Sequence, residues 1–573
     1  MMKKKVISAF LCGAMALSMV ACGNANGGSG KSSSAATSGA AATKGVSVDA
    51  SISQDWKQYD QLIDKIRTST DFAARVDDMH KAEDILMSTF AVIPVYYYND
   101  TYMKKSDVTG DYNTVYGIKY FKGMTKQGSD TIKINLASEP DYVDPTLNSS
   151  VDGACLVSNL FSGLYKYNAK SEVEPELADG MPTVSSDGTV YTIKLKPSKW
   201  SDGTDLTAKD FIYSWNRAVD EKTAADYAYL YDIVARDSDG KLKAVAKDDY
   251  TLEVTLTNPC PYFNALLAFP AFYPVPQKSV EAANTDGTTP GKWCQEAGFI
   301  SNGAYTMTEW KHNESITFKA NPNYWDAANV KTPNLVFMLS ADDTAIYAAY
   351  KNNDLDYIDS VPNDEIANLK TSKEFYIDPN LGTYYLAFNV KSDFFKDMTW
   401  QQACDFRHAI CLLIDRQYIV DTVGQSGQEV ADSYIPSGMA DGNGGVFKTA
   451  NTKYYDASKS DVEGAVQLLE AAGFKMTKNS DGTYTPDKPI TLPYILNDNS
   501  GHKAIAECIQ NDLSQVGIKM TISTEDWNVF LQDRKDGNYT FAREGWLADY
   551  NDPINMLEMF RSDSGNNDPQ FGR

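Results

Sequence analysis

Strand and helix patterns follow one another along the chain after residue 45, and this mixture constrains the fold more than any other feature. Thr189–Lys196 and Thr251–Thr257 alternate polar and apolar residues, as half-buried strands do. Ser-Asp-Gly, which indicates a tight turn between extended runs, occurs at 186–188, 201–203, 238–240 and 480–482.

Helical spacing of apolar residues is equally clear. Ser460 and Glu463 form a capping-box pattern, and Gly473 is a stop signal for the helix that follows. The predicted apolar faces are Val462, Val466 and Leu469; Ile505, Ile509, Leu513 and Val516 before Gly517; Tyr59, Leu62, Ile63 and Ile66; and Val76, Met79, Ala82, Ile85 and Leu86. Such a mixture over residues 46–573 predicts an α/β or α+β protein with two or three lobes.

The first 45 residues predict export. Lys3, Lys4 and Lys5 precede an uncharged stretch, Val6–Ala21, which has the length and order of a signal peptide. The stretch ends in Met-Val-Ala-Cys-Gly, which resembles the bacterial lipobox, so Cys22 is the predicted lipidation site. A plain secretory signal with an incidental Cys is the alternative. The Gly-, Ser- and Ala-rich residues that follow, within 22–45, predict a flexible linker behind the lipidated Cys.

Charge, cysteine and motif content narrow the function. The formal net charge is -23, which argues against nucleic-acid binding and against a membrane-surface domain. Six cysteines lie beyond Cys22 without a C-x-x-C pair, so a zinc ribbon is unsupported, and their pairing stays open. Four His and no hydrolase, zincin or dinucleotide motif give no support to an enzyme, a metal site or a cofactor.

Several separate motifs along the chain form a recognisable set: Trp200-Ser201-Asp202-Gly203-Thr204, Thr207-Ala208-Lys209-Asp210-Phe211, Asn302-Gly303-Ala304-Tyr305, Thr383-Tyr384-Tyr385, and the run from Gly545 to Pro553. Together they resemble the oligopeptide-binding protein family, the substrate-binding components of peptide ABC importers. The resemblance covers residues 126–573. It implies a two-lobed, periplasmic-binding-protein-like α/β fold with a third small lobe and mixed sheets flanked by helices.

Residues 46–125 resemble the same family, but its C-terminal end. Tyr59-Asp60-Gln61-Leu62-Ile63, Ala82-Glu83-Asp84-Ile85-Leu86 and Ile93-Pro94-Val95-Tyr96-Tyr97-Tyr98 look like its closing helices and last strand. The chain therefore resembles a circularly permuted member, with a partial duplication or a rearranged gene as the alternative. The expected parts are a signal peptide (1–21), lipidated Cys and linker (22–45), second large lobe (46–97 and 381–573), first large lobe (98–161 and 277–380) and small lobe (162–276).

The resemblance also implies site residues. Asp549 matches the acid that pairs with the peptide's α-ammonium; a turn or helix N-cap Asp is the alternative. Backbone groups of Gly545, Leu547 and Val151 match peptide-pairing positions, and Tyr227, Trp527 and Trp546 match aromatic residues of the cleft, with core packing as the competing interpretation of the two tryptophans. Arg534, Arg543 and His502 match positions that hold the peptide's carboxylate, whereas Gly424 stands where well-known members have Lys.

The resemblance implies an extracellular lipoprotein without enzymatic activity, anchored on the outer side of the bacterial cytoplasmic membrane. Its expected partners are peptides and the permease and ATPase subunits of an ABC importer, and the body is expected to be a monomer that touches the membrane only through its lipid. Alternatives are a binder of a non-peptide solute, a peptide-sensing lipoprotein not coupled to import, and a non-functional rearranged product.

Overall fold

A ten-stranded mixed sheet is the largest element of the protein. The computed structural model describes residues 56–136 and 139–573; the predicted signal peptide, Cys22 and linker lie outside them. With strands numbered in chain order, the sheet contains β15 (Tyr305–Lys311), β16 (Ser315–Ala320), β17 (Asn334–Met338), β6 (Thr131–Asn135), β18 (Tyr357–Ile358), β1 (Val92–Lys104), β19 (Phe375–Phe388), β24 (Phe541–Leu547), β22 (Ile490–Asn497) and β23 (Ile518–Glu525), in that spatial order.

Two long antiparallel strands, β1 and β19, join the two halves of this sheet. Their register runs from Val92 opposite Ala387 to Met103 opposite Phe375, and it shifts between Pro94 and Tyr96 and again after Tyr97. Strands β6 and β15 to β18 lie on one side of the pair, and β22 to β24 lie on the other. The predicted lobe boundaries at 97/98 and 380/381 therefore fall where the pairing is irregular.

Helices flank the sheet, so the expectation of a mixed α/β architecture is confirmed. They are α1 (Lys57–Thr68), α2 (Phe72–Ser88), α3 (Val151–Leu160), α4 (Ala208–Ala218), α5 (Phe263–Leu266), α6 (Gln277–Ala283), α7 (Asp343–Lys351), α8 (Asn363–Leu369), α9 (Trp400–Leu413), α10 (Arg416–Ile419), α11 (Val462–Ala471), α12 (Ser500–Ser514), α13 (Trp527–Asp536) and α14 (Ile554–Glu558).

The helices predicted from apolar spacing are present with their faces turned inward. Tyr59 and Ile63 of α1, and Ile505 and Ile509 of α12, are buried. The capping-box prediction was wrong in detail. Asp461 rather than Ser460 is the N-cap of α11, and its carboxylate accepts from the backbone N–H of Gly464 at 2.9 Å. An ionised carboxylate one residue nearer to the helix competes successfully with the hydroxyl.

A separate four-stranded sheet lies within residues 162–276, the predicted small lobe. It is made of β13 (Ala244–Asp248), β14 (Thr251–Thr255), β10 (Val190–Lys194) and β9 (Thr183–Val184), in that spatial order. Strands β10 and β14 confirm the two strands predicted from alternation. All four Ser-Asp-Gly sequences place their glycine at positive φ, between 73° and 92°, which confirms the predicted turns.

Short two-stranded ribbons complete the strand inventory of the described residues. They pair β11 (Ser198–Lys199) with β12 (Asp205–Leu206), β2 (Val108–Thr109) with β5 (Thr125–Lys126), β20 (Met476–Lys478) with β21 (Tyr484–Pro486), β3 (Tyr112–Asn113) with β4 (Lys119–Tyr120), and β7 (Tyr165–Tyr167) with β8 (Val173–Pro175).

The first described residues pack against the last ones. The indole of Trp56 stacks on Phe571, with ring centroids 4.0 Å apart, and its Nε1 donates to the carbonyl of Phe560 at 2.8 Å. Arg75 of α2 forms a buried bidentate ion pair with Asp552, with N···O distances of 2.9 and 2.7 Å. The segment that begins the described chain is therefore an integral part of the body, and the C-terminus lies beside it.

The six cysteines beyond Cys22 all lie within the described residues. All six are free thiols: Cys508 is partly exposed, and the other five are buried, namely Cys155, Cys260, Cys294, Cys404 and Cys411. No helix within 56–136 or 139–573 is long and apolar enough to span a membrane. Those same stretches contain no group of three or more His, Cys, Asp or Glu side chains placed to hold a metal ion.

Candidate functional site

Asp549 lies just beyond the end of β24, buried to 7% exposure. Its carboxylate accepts two hydrogen bonds from neutral donors: the Tyr227 hydroxyl at 3.1 Å and the Asn555 side-chain amide at 2.8 Å. Its backbone is held as well, because the Tyr167 hydroxyl donates to its carbonyl at 3.0 Å. Residues from the predicted small lobe and from the predicted second lobe therefore fix this side chain together.

The carboxylate of Asp549 lacks an ionic partner among the residues that the structure describes. Burial raises its pKa to about 7, and the hydrogen bonds from Asn555 and Tyr227 only partly oppose this effect. The hydrogen bonds that the Asp549 carboxylate accepts within the described chain come from side chains, whereas the Asp552 carboxylate accepts from the backbone N–H of Ile554 at 3.1 Å. Asp549 is thus a buried acid whose ionised form a bound cation would stabilise.

The strand that leads to Asp549 has one open edge. β24 pairs with β19 along its whole length, from Phe541 opposite Phe388 to Leu547 opposite Gly382. On its other side, β22 pairs with it at Phe541 and Ala542 only. The backbone of residues 543–547, which includes Gly545 and Leu547, therefore carries no ladder partner on that side within the described chain. Free backbone N–H and C=O groups of this kind can bind an added extended segment.

Val151, the first residue of α3, is 39% exposed, and its side chain lies near that of Leu547. Gly117 separates it from Leu547: a Cβ placed on Gly117 would come 2.6 Å from Leu547 Cδ1 and 2.9 Å from Val151 Cγ1. The two apolar side chains therefore both lie against Gly117, where any larger side chain would displace them.

Aromatic side chains line the region around Asp549. The ring centroids of Tyr227 and Trp546 are 6.3 Å apart, and Trp546 Nε1 donates to Asn555 Oδ1 at 3.2 Å. Trp527, the first residue of α13, is half-buried, with its ring centroid 6.2 Å from that of Phe530. Tyr227 therefore contacts Asp549 directly and Trp546 contacts it through Asn555, whereas the ring contact of Trp527 is with Phe530 of its own helix.

Arg534, one of the three residues that match carboxylate-holding positions, is already paired with acidic side chains of the protein. Its guanidinium is buried, forms an ion pair with Glu544 through Nη1, and has Nε 3.6 Å from Asp568 Oδ2. Burial works against its charge, but these two carboxylates together raise the pKa of Arg534. In this structure its positive charge is already compensated.

Arg543 and His502 lie together beside Tyr384. The guanidinium carbon of Arg543 is 5.2 Å from the Tyr384 ring centroid, and the His502 ring centroid is 5.5 Å from the same ring. Burial, with a smaller contribution from Arg543, holds the pKa of His502 well below its usual range, so the imidazole is neutral. Of the three residues predicted to hold a carboxylate, Arg543 is the cation that forms no ion pair within the described part of the chain.

Gly424 ends a π-helical turn at Val420–Gly424. A Cβ at this position would lie 2.6 Å from the side-chain oxygen of Gln428. The space next to Gly424 is therefore occupied by a neutral amide, which agrees with the absence of a lysine there.

Sequence reasoning did not single out three residues that shape the site. Asn555 and Tyr167 hold Asp549, and Tyr98 lies over Gly545 with its hydroxyl 3.1 Å from Nη2 of Arg543. Tyr98 belongs to the Tyr96–Tyr98 run that carries the family resemblance, which is the available signal. Asn555 and Tyr167 are single residues in unremarkable contexts, so spacing alone could not reveal them.

Residues 172–568 match the family described as bacterial extracellular solute-binding proteins, family 5. The oligopeptide-binding protein OppA of Bacillus subtilis is 33% identical over 461 residues, which cover 77% of this chain and 79% of that protein. This chain belongs to that family. Its resemblance to the oligopeptide-binding proteins is confirmed, and the matched family is one of extracellular solute-binding proteins rather than of enzymes.

Solved structures agree with this assignment. Peptide-bound OppA of Listeria monocytogenes superposes with a TM-score of 0.69 at 29% identity, over 78% of this chain and 86% of that one. Haemophilus influenzae OppA in complex with the peptide RPPGFSPFR gives 0.67 at 29% identity, over 78% and 85%. The expected periplasmic-binding-protein-like α/β fold is therefore confirmed.

Proposed function

We propose that this protein captures oligopeptides outside the cell and delivers them to an ABC importer. The observation that carries the proposal is the buried carboxylate of Asp549, which holds two neutral donors and no described cation. A peptide α-ammonium placed there forms a charge-assisted hydrogen bond in a site protected from water. This bond fixes one end of the ligand and its register along β24.

The rest of the peptide follows the open edge of β24. Backbone groups of Gly545 and Leu547 pair with the ligand's main chain, as an added strand does, and Val151 contributes from the opposite wall. Main-chain pairing tolerates many side chains. The guanidinium of Arg543, which forms no ion pair in the described chain, receives the carboxylate at the other end, with neutral His502 beside it.

Capture involves closure of the two large lobes over the peptide. Contacts already link the predicted lobes around the site: Lys535 of α13 forms an ion pair with Asp226, and Ser500 of α12 donates to Asp343 at 2.7 Å. Closure by hinge motion about the irregular region of β1 and β19 would make and break such contacts. We infer a monomeric body that presents its closed form to permease subunits driven by an ATPase.

The membrane anchor is a separate part of the proposal. Cys22 within its lipobox-like sequence would carry lipid, so that the body stays on the outer side of the cytoplasmic membrane without a spanning helix. Metabolic labelling with a radioactive or alkyne-bearing fatty acid, with Cys22→Ser as the control, tests this. Equal labelling of both proteins would refute lipidation at Cys22.

Ligand identification tests the central claim. The protein from residue 46 to 573 is purified, and bound material is released and analysed by mass spectrometry; peptides are expected, together with a thermal shift on adding a peptide library. A relative named a probable deoxycholate-binding periplasmic protein, from Escherichia coli, is 30% identical over 449 residues. Recovery of a non-peptide solute, without any response to peptides, would overturn the proposal in favour of the non-peptide alternative.

We further propose that the chain is circularly permuted relative to its family. The match to OppA of Salmonella typhimurium covers 78% of this chain. Residues 126–573, over which the motifs resemble the family, make up about the same share of the 573 residues. The packing of Trp56 on Phe571 and the central position of β1 in the sheet support an integral first segment.

A reordered chain tests the permutation. Residues 46–125 are moved behind Arg573 through a short linker, so that the new chain begins at Lys126, the last residue of β5, directly before the exposed residues 127–130. The reordered protein should fold, melt cooperatively and bind the same peptides, because the same contacts form with a different chain break. Failure of the reordered protein to fold, while residues 46–573 in the original order fold, would contradict the permutation.

A further inference from the structure

Arg543 is a partly buried cation that forms no ion pair with any residue that the structure describes. It lies on β24 within the site, and its Nε is buried without a hydrogen-bond partner in the described chain. Its Nη2 donates to the hydroxyl of Tyr98 at 3.1 Å, and its guanidinium carbon lies 5.2 Å from the centroid of the Tyr384 ring. Both neighbours are neutral, so they orient the guanidinium and leave its charge available.

Arg534 shows the opposite arrangement nearby. Glu544 and Asp568 supply two carboxylates to that guanidinium, one in a direct ion pair and one 3.6 Å from Nε. A carboxylate holds an arginine firmly but cancels its charge. A phenol hydroxyl that accepts a hydrogen bond fixes geometry at no such electrostatic cost.

Tyr98 is itself rigidly placed. Its hydroxyl lies over the strand at Gly545, so close that a Cβ added there would come within 2.2 Å of it. Its ring makes edge contacts with Tyr96 and Tyr384, with centroids 5.7 and 6.0 Å away. The absence of a side chain at Gly545 therefore admits the phenol to the position from which it reaches Arg543.

We propose that Tyr98 is a positioning residue that holds the guanidinium of Arg543 in the geometry needed to receive the carboxylate of the bound peptide. The inference rests on the proposed peptide-binding function and adds a determinant of carboxylate selectivity to it. An arginine side chain loses much rotamer freedom when it binds a ligand, and a partner that orders it beforehand reduces that cost. The hydroxyl of Tyr98 supplies this order from the segment 46–125, which makes that segment part of the binding site.

Removal of one oxygen atom tests the proposal. Wild type and Tyr98→Phe are titrated with a tripeptide that has a free C-terminal carboxylate and with its C-terminal amide. The wild-type preference for the acid over the amide is expected to fall about ten-fold in Tyr98→Phe, as expected for loss of a hydrogen bond to a charged group. The preference for a free over an acetylated N-terminus should stay unchanged, because Asp549 is untouched.

Tyr102→Phe is the matched control. Tyr102 lies on the same strand and loses a comparable hydrogen bond, from its hydroxyl to Asp378 Oδ2 at 3.0 Å, without contact to Arg543. Its acid-to-amide preference should equal that of wild type. If both variants reduce the preference equally, the effect comes from general loosening of β1, and the positioning role of Tyr98 is refuted.

A double-mutant cycle establishes that Tyr98 acts through Arg543. In an Arg543→Gln background, Tyr98→Phe should change the acid-to-amide preference no further. Additive losses, or a wild-type preference retained in Tyr98→Phe, would overturn the inference. Wild type that binds no peptide at all would instead refute the proposed function, whereas wild type that binds peptides but does not distinguish acid from amide refutes this inference alone.

Discussion

The charge state of Asp549 makes peptide binding depend on pH in a calculable way. In the ligand-free protein burial raises the pKa of this carboxyl to about 7, so at pH 5 it is almost fully protonated. An α-ammonium binds only the ionised form, and a proton must therefore leave before the peptide binds. Below pH 7 the dissociation constant should rise about ten-fold per pH unit, reaching about 100-fold at pH 5.

The ligand sets the upper limit of the same profile. A peptide α-amino group has a pKa of about 7.7–8.0, so it loses its charge above that range. Affinity for peptides with a free N-terminus should therefore be greatest between about pH 7 and pH 8 and fall on both sides. An N-acetylated peptide offers no ammonium, and its affinity should show neither limb of this profile.

Asp549→Asn removes the charge and keeps the shape. The Asn side chain can accept from Asn555 and donate to the Tyr227 hydroxyl, which can act as an acceptor. Loss of one partner of a buried charge pair costs about 2–5 kcal/mol, so binding of a free N-terminus should weaken at least about 30-fold at pH 7.5. Binding of the acetylated peptide should change little.

The stability of the unliganded protein should fall as the pH rises, whereas its affinity for peptides rises up to about pH 7. A carboxyl whose pKa rises from 3.8 to about 7 on folding disfavours the folded state by up to about 4 kcal/mol at pH above 7. This penalty is absent below pH 4 and grows as the pH rises through the interval between the two values. Asp549→Asn removes it, so the variant should melt at a higher temperature than wild type at pH 8 and not at pH 4.

Titration calorimetry from pH 5 to 9, with both peptides and both proteins, checks these expectations. Other buried acids also titrate in this range, Glu83 with a pKa of about 7 and Asp512 with one of about 6. The Asp549→Asn profile corrects for them because they are common to both proteins. An equal pH slope in wild type and variant, or equal loss of the free and acetylated peptides, would refute the assigned role.

Three other predictions address the body and its closure. Arg75→Met leaves the buried carboxylate of Asp552 uncompensated and should lower the free energy of unfolding by about 3–5 kcal/mol in denaturant titrations; a loss below 1 kcal/mol would contradict this. Lys535→Met removes the ion pair to Asp226 between the predicted lobes, and stopped-flow measurements should show peptide release about five-fold faster at an unchanged association rate, whereas a slower association alone would argue against a closure contact. Of the six free thiols in 46–573, Cys508 alone is not fully buried, so a thiol reagent should label it first and the others only on unfolding; rapid labelling of several thiols in the native protein would contradict the packing.

Local signals were sufficient for elements whose determinants are neighbours in sequence. The glycines of the Ser-Asp-Gly turns have positive φ because the turn requires it, and Ile505 and Ile509 of α12 are buried because their spacing puts them on one face. The start of α11 was predicted one residue early, since Ser460 and Asp461 are both capable caps and only the backbone geometry chose between them.

The motifs along the chain were sufficient to identify the family and the region around Asp549. The tertiary contacts distinguish the two arginines: Arg534 forms an ion pair with Glu544, whereas Arg543 forms none in the described chain and donates to the hydroxyl of Tyr98, a residue 445 positions away. A side chain's charge is fixed by its chemistry, but the charge that remains available to a ligand depends on which groups the fold brings to it. Those neighbours come from segments that are distant in the sequence, so no local sequence pattern reveals them.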